Sequence, residues 1–112
     1  MAVSNPDYSV LNYEEMAKLI GLKVKHMPML VGSFLEETQP LLTKLHTAIK
    51  DKDYASLRSI AHSIKGSAGN LRFNELYEMA KELEHAGADS DATFEYEEYF
   101  RAIAAGVATI KI

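Results

Sequence analysis

Apolar residues recur at intervals of three and four along most of the chain, the spacing of one buried stripe on an α-helix. No stretch alternates convincingly with period two. A short first helix is predicted over Asn12 to Ile20, with Asn12 as cap, Glu14 and Glu15 in its first turn and Gly21 as its stop. A second helix follows from about Lys25 to Lys50. Its stripe is Met27, Val31, Phe34, Leu41, Leu45 and Ala48, with Thr38 on the same line. Pro40 lies inside it and predicts a kink.

Asp53 is the expected cap of a third helix, Tyr54 to about Leu71, whose stripe reads Tyr54, Leu57, Ala61, Ile64, Ala68 and Leu71. A turn at Arg72 to Asn74 leads to a fourth, about Glu75 to Ala86, built on Phe73, Leu76, Ala80 and Leu83 and closed by Gly87. Asp89, Ser90 and Asp91 offer caps for a fifth, ending near Ile110, with Tyr96, Phe100, Ile103, Val107 and Ile110 as its stripe. The expected fold is all-α. It is an antiparallel up-down four-helix bundle over about 25–110, with the short N-terminal helix, about 12–20, across one end.

Composition narrows the class. The 112 residues amount to one domain, 1–112, and 47% apolar with 25% charged residues is an ordinary globular balance. No run is long and apolar enough for a membrane span, and Met1 to Tyr8 has neither a basic start nor an apolar core. The absence of Cys excludes disulfides and thiolate sites and fits a cytoplasmic protein. A net charge of -4 argues against nucleic acid as partner.

The third helix holds the unusual chemistry. His62 lies roughly 130° from the centre of the apolar stripe, so it faces solvent. Its neighbours three, four and seven positions away are Ala55, Arg58, Lys65, Gly66 and Gly69. Two helix-interior glycines on that face cost about 1 kcal/mol each against alanine. Their physical use is to let another molecule approach the imidazole. No Asp or Glu falls between residues 54 and 74, where Arg58, Lys65 and Arg72 are the formal charges. An exposed imidazole in a positive setting suits a phosphoryl group. An exposed helical histidine is more often plain surface, and by spacing alone both readings stay open.

The segment Ala61-His62-Ser63-Ile64-Lys65-Gly66-Ser67-Ala68-Gly69-Asn70-Leu71 resembles the signature of histidine-phosphotransfer (HPt) domains: His, any residue, an aliphatic, Lys, Gly, then small residues. Phe34-Leu35-Glu36-Glu37 and Leu83-Glu84 are similar to further family segments, so the likeness extends over most of the chain. The resemblance implies that His62 accepts the phosphoryl group, Lys65 steadies its oxygens and Gly66 leaves room for them. Arg58 and Gly69 stand beside that site, and Ser67 and Asn70 match motif positions with structural roles. The partners implied are receiver domains of response regulators or hybrid sensor kinases. The receiver would bring the magnesium ion; the chain is expected to be a monomer with no cofactor of its own and no independent enzyme activity. One rival shares the motif, a phosphoacceptor module of a chemotaxis-type kinase, served by an ATP-bound domain; a second, a receiver-binding adaptor without transfer, is argued against by the presence of His62. The family commonly carries Gly after the position of Leu71. Here it is Arg72, so either Arg72 adopts a strained backbone or the turn shifts to Asn70 or Asn74.

Other features are blander. His26, His46 and His85 have no motif around them and read as surface or loop residues. Glu82-x-x-His85 lacks the second pair that a di-iron site needs, so no metal is expected. The residue after His62 is Ser63, unlike the acidic residue typical of sensor-kinase dimerisation domains. Nine of the sixteen acidic residues fall between Glu75 and Glu98, which predicts acidic helices at the back of the molecule, away from the basic clearing at His62.

Overall fold

The chain forms its helices where local chemistry starts and stops them. In the computed structural model, which describes residues 3–111, they are α1 (Tyr13–Ile20), α2 (Met27–Lys50), α3 (Tyr54–Asn70), α4 (Asn74–Ala88) and α5 (Tyr96–Ala108). Met1 and Ala2, at the start of the stretch read above for a targeting signal, and Ile112, the end of the expected domain, lie outside the described residues. The described residues contain no strand. Asn12 caps α1 by accepting the Glu15 N–H at 3.0 Å, and Gly21 ends it at φ +83°. A 3-10 turn, Val24–His26, precedes α2, which therefore begins two residues later than predicted. Asp53 caps α3 by accepting the Ser56 N–H at 3.2 Å.

Pro40 sits within α2, and the helix runs unbroken through it from Met27 to Lys50. The buried face of α2 is Met27, Val31, Phe34, Thr38, Leu42, Leu45 and Ala48, so Leu42 replaces the expected Leu41, which is half-buried. An alternating three-four repeat drifts by about 20° per two turns against a straight helix, and here the drift moves the stripe by one residue. Thr38 is fully buried, and its hydroxyl has no partner among the described residues.

In α5 the core takes Tyr99, Ala102, Ile103, Gly106 and Val107. Tyr96 and Phe100, expected at its centre, are half-buried at its flanks. The expected caps also sit elsewhere. Asp91 accepts from Thr93 in the preceding loop, and α5 starts after Glu95 without a side-chain cap. Gly87 does not close α4 but lies buried within it, where a Cβ would come within 2.9 Å of Leu57 and 3.3 Å of α3 backbone. Its bare backbone thus lets α3 and α4 approach closely. As α3 advances from Leu57 to Gly69, its neighbours on α4 fall from Gly87 to Tyr77. The molecule is elongated, 43 × 24 × 21 Å.

The N-terminal segment, featureless by periodicity, straps one end of the helices. Pro6 is buried against Gly106, and the Tyr8 N–H donates to Thr109 Oγ1 at 2.8 Å. The Tyr8 ring packs on Phe73, and its hydroxyl donates to Glu75 at 2.8 Å.

Arg72 resolves the turn left open by the sequence. It takes the left-handed backbone itself, φ +64°. Its N–H donates to the Gly69 carbonyl at 3.1 Å and the Phe73 N–H to the Ala68 carbonyl at 3.0 Å, the paired bonds of a Schellman cap. Lys52 after α2 and Ser90 after α4 do the same, at φ +53° and +49°. A side chain in this region costs about 1 kcal/mol that glycine avoids. Arg72→Gly is therefore expected to raise stability by about 1 kcal/mol in urea unfolding. Unchanged or lower stability would mean that the Arg72 guanidinium, 3.5 Å from the Leu19 and Gly69 carbonyls, contributes as much as the backbone loses.

Candidate functional site

The buried positions of α3, Leu57, Ala61, Ile64 and Ala68, turn residue 62 outward. The His62 side chain is 66% exposed, as its wheel position predicts. The carboxylate that meets it comes from another helix. Glu84 of α4 lies 2.7 Å from His62 Nδ1 through Oε2 and 2.7 Å from Lys65 Nζ through Oε1. This side chain is only 13% exposed. The close approach of α3 and α4 at Gly87 puts Glu84, one turn earlier, within reach of both residues.

Glu84 fixes the chemistry of the ring. An ionised carboxylate accepts only, so His62 Nδ1 carries the proton and donates. In the neutral imidazole the lone pair then sits on Nε2. The Lys65 hydrogen bond does most to hold the Glu84 carboxyl below the ordinary carboxylate range; partial burial opposes this, and the His62 bond adds to it. The site is thus a cation, a carboxylate and an oriented imidazole, rather than the purely positive clearing expected. Acidic α4 is not at the back. It supplies the group nearest His62.

The remaining candidates divide. A Cβ built on Gly66 would meet nothing within 4 Å, so the surface beside His62 is open there. Gly69 is different: its Cβ would lie 3.0 Å from the Tyr77 ring, and this glycine seats Tyr77 of α4 rather than opening the site. Ser67 donates to Glu37 on α2 at 2.6 Å, a tie between helices. Arg58 is exposed on the His62 side of α3 and makes no salt bridge among the described residues. Asn70 is the exposed last residue of α3. Elsewhere, His46 is half-buried, stacked on Phe100 at 4.5 Å with Nε2 3.1 Å from Glu97. His26 and His85 are exposed. Among the described residues no three His, Cys, Asp or Glu side chains gather to hold a metal ion, and no helix is long and apolar enough to cross a membrane.

Sequence reasoning named Leu83-Glu84 as a family-like pair but gave Glu84 no role. The available signal was that pair itself, a glutamate directly after a core leucine.

No curated protein and no solved structure matches the chain significantly. A family model described as Hpt domain matches residues 29–110, a span that contains His62, Lys65, Gly66 and Glu84. Hpt domains are phosphotransfer modules of two-component signalling and interact with receiver domains. A match over most of the length, on an all-helical fold with an oriented, exposed histidine, leads to one assignment: the chain belongs to the Hpt domain family.

Proposed function

We propose that the chain is a phosphorelay intermediate that takes a phosphoryl group on His62 and exchanges it with an aspartate of a receiver domain. In this reading α2 to α5 form an antiparallel four-helix bundle, supported by the falling register of α4 along α3, and α1 covers one end. The observation that carries the proposal is the Glu84 bond to His62 Nδ1, which leaves the Nε2 lone pair for a nucleophile on an exposed side chain beside bare Gly66.

His62 Nε2 attacks phosphorus, the P–O bond to the aspartyl group breaks, and the carboxylate leaves on the receiver. The ring, still protonated at Nδ1, becomes cationic, and the Glu84 carboxylate 2.7 Å away stabilises that charge. Lys65, held beside the ring by Glu84, is placed to turn toward the phosphoryl oxygens. The magnesium ion belongs to the receiver. This chain contributes a positioned nucleophile and no cofactor.

Incubation with receiver domains carrying radiolabelled phosphate tests the proposal. Label should move to the chain in a form stable to base and labile to acid, and move back on addition of unlabelled receiver. Labelling only by an ATP-bound kinase domain would favour the chemotaxis-type role, and binding without transfer would leave an adaptor.

Glu84→Gln tests the orienting carboxylate. Transfer should slow by about tenfold to a hundredfold, because the ring and Lys65 lose their shared anchor. The stability effect has a definite sign. A carboxyl whose pKa is lowered on folding stabilises the fold above its unfolded pKa, and this is lost as pH falls through the lower folded value. Wild type should therefore exceed Glu84→Gln in urea midpoint at pH 7, and the gap should close on acidification below the ordinary carboxylate range. A gap that persists in acid would assign the effect to shape rather than charge.

A further inference from the structure

Lys81 is the single cation between Glu75 and Glu98, a stretch with nine acidic residues. It is half-buried and makes no salt bridge among the described residues. It has no part in the core or in the Glu84 anchor.

Two contacts fix how α4 lies along α3. Glu84 meets His62 and Lys65, and Tyr77 is seated against Gly69. Lys81 comes three residues before Glu84 and four after Tyr77, so it lies between them along the helix. The level on α3 between Lys65 and Gly69 is that of Gly66. Around the axis of α4, Lys81 stands about 100° from buried Ala80, about 60° from Glu84 and about 40° from Tyr77, all in one sense. Glu84 and Tyr77, which touch α3, thus fall between Lys81 and the core. Lys81 is the solvent-side rim of the face that α4 turns to α3. His62 holds the matching place on α3, about 100° from buried Ala61 with Lys65 and Gly69 in between. The two rims flank one seam. The surface beside it at Gly66 is open, since a Cβ there would meet nothing within 4 Å.

A phosphoryl group on His62 brings close to two negative charges into this space. Glu84 adds another. Against them stand the imidazolium and Lys65, and Lys65 is bonded to Glu84 at 2.7 Å. That bond is the first cause holding the Glu84 carboxyl below the ordinary range. A Lys65 that leaves for the phosphoryl oxygens therefore weakens the anchor of the ring. Arg58, one turn toward the start of α3, lies on the far side of the ring from Gly66. A cation on the open side removes the conflict, and Lys81 is placed there.

We infer that Lys81 is a second phosphoryl-binding residue, whose ammonium takes phosphoryl oxygens from the α4 side so that Lys65 can serve them without giving up Glu84. The inference rests on the phosphotransfer reading of His62, and it makes the site a clamp built from two helices. The contact belongs to the phosphorylated state, because the unphosphorylated ring offers Lys81 no anion.

Phosphoramidate supplies a test without a partner protein: Nε2 attacks phosphorus, the P–N bond breaks and ammonia leaves. Phosphorus-31 NMR then follows the last ionisation of the phosphoryl group, which a nearby ammonium lowers. Lys81→Met keeps the apolar stem and removes the charge. It should raise the midpoint by about half a pH unit, the effect of one charge about 5 Å away in a solvated site. Lys81→Arg should hold the wild-type midpoint, and so should Lys18→Met, at an exposed position on α1. In the unphosphorylated chain, nitrogen-15 shifts of the His62 ring and the circular dichroism should be the same in Lys81→Met and wild type. A wild-type phosphorus midpoint in folded, labelled Lys81→Met would overturn the inference and leave His62 as acceptor. So would a ring already altered in the unphosphorylated variant, which would assign Lys81 to the resting site instead. Failure of phosphoramidate to label His62 in the unaltered chain would remove the phosphotransfer reading, and this inference with it.

Discussion

His62→Gln should abolish phosphoryl transfer and leave the helices as they are. The side chain is 66% exposed, so its replacement removes little buried contact. The stability change should stay within about 0.5 kcal/mol, the range of surface substitutions. Glutamine keeps an amide N–H that can still reach Glu84, so the Glu84–Lys65 pair retains company. It has no nitrogen lone pair able to attack phosphorus. Label from a phosphorylated receiver should stay at background in the variant, with an unchanged circular dichroism melt. Transfer that survives in a folded variant would assign the phosphoryl group to another residue.

Gly66→Leu should have the next largest effect, and by a different route. The space is free, since a Cβ there meets nothing within 4 Å, and leucine removes the helix cost of glycine. Melting temperature should hold or rise. Side chains on a helix tilt toward its N-terminus, so a leucine at 66 covers the turn before it, where His62 stands. Transfer to and from a receiver should fall by about a hundredfold through crowding of Nε2. Gly66→Ala should be intermediate in transfer and equally stable. Normal transfer by the leucine variant would show that the open surface at Gly66 has no part in access.

The two variants probe what was local, and locality explains what the sequence made legible. The cap at Asp53, the outward position of His62 and the open side at Gly66 all follow from offsets within one helix. Glu84 does not, because it is twenty-two residues from His62 and reaches it only through α3–α4 contact. The run of acidic residues from Glu75 onward suggested a distant acidic face. Charge along a chain is not charge in space, and one glutamate of that run is the group that orients the ring. Gly69 misled for the same reason: its bareness serves Tyr77, on a helix whose register the sequence does not reveal. On α5, apolar residues at Tyr96, Tyr99, Phe100 and Ile103 leave more than one face plausible, and burial chose Tyr99. The Pro6–Tyr8 strap has no period to detect; it is held by single contacts with Gly106, Phe73 and Thr109.

Arg72 shows the reverse case. Both alternatives for the turn were visible, and the choice between them depended on a backbone pattern that recurs at Lys52 and Ser90. Three helices end on a left-handed residue that is not glycine. At Arg72 the side chain reaches α1, a gain that glycine could not supply.

In the proposed mechanism Glu84 holds the proton on His62 Nδ1 and leaves Nε2 to take the phosphoryl group. Nitrogen-15 NMR of the histidine rings, before and after phosphorylation by a receiver, tests it directly. The free chain should show His62 protonated at Nδ1, and the phosphorylated chain should show phosphorus bonded to His62 Nε2. A phosphoryl group on His62 Nδ1, or on His26, His46 or His85 instead, would contradict it.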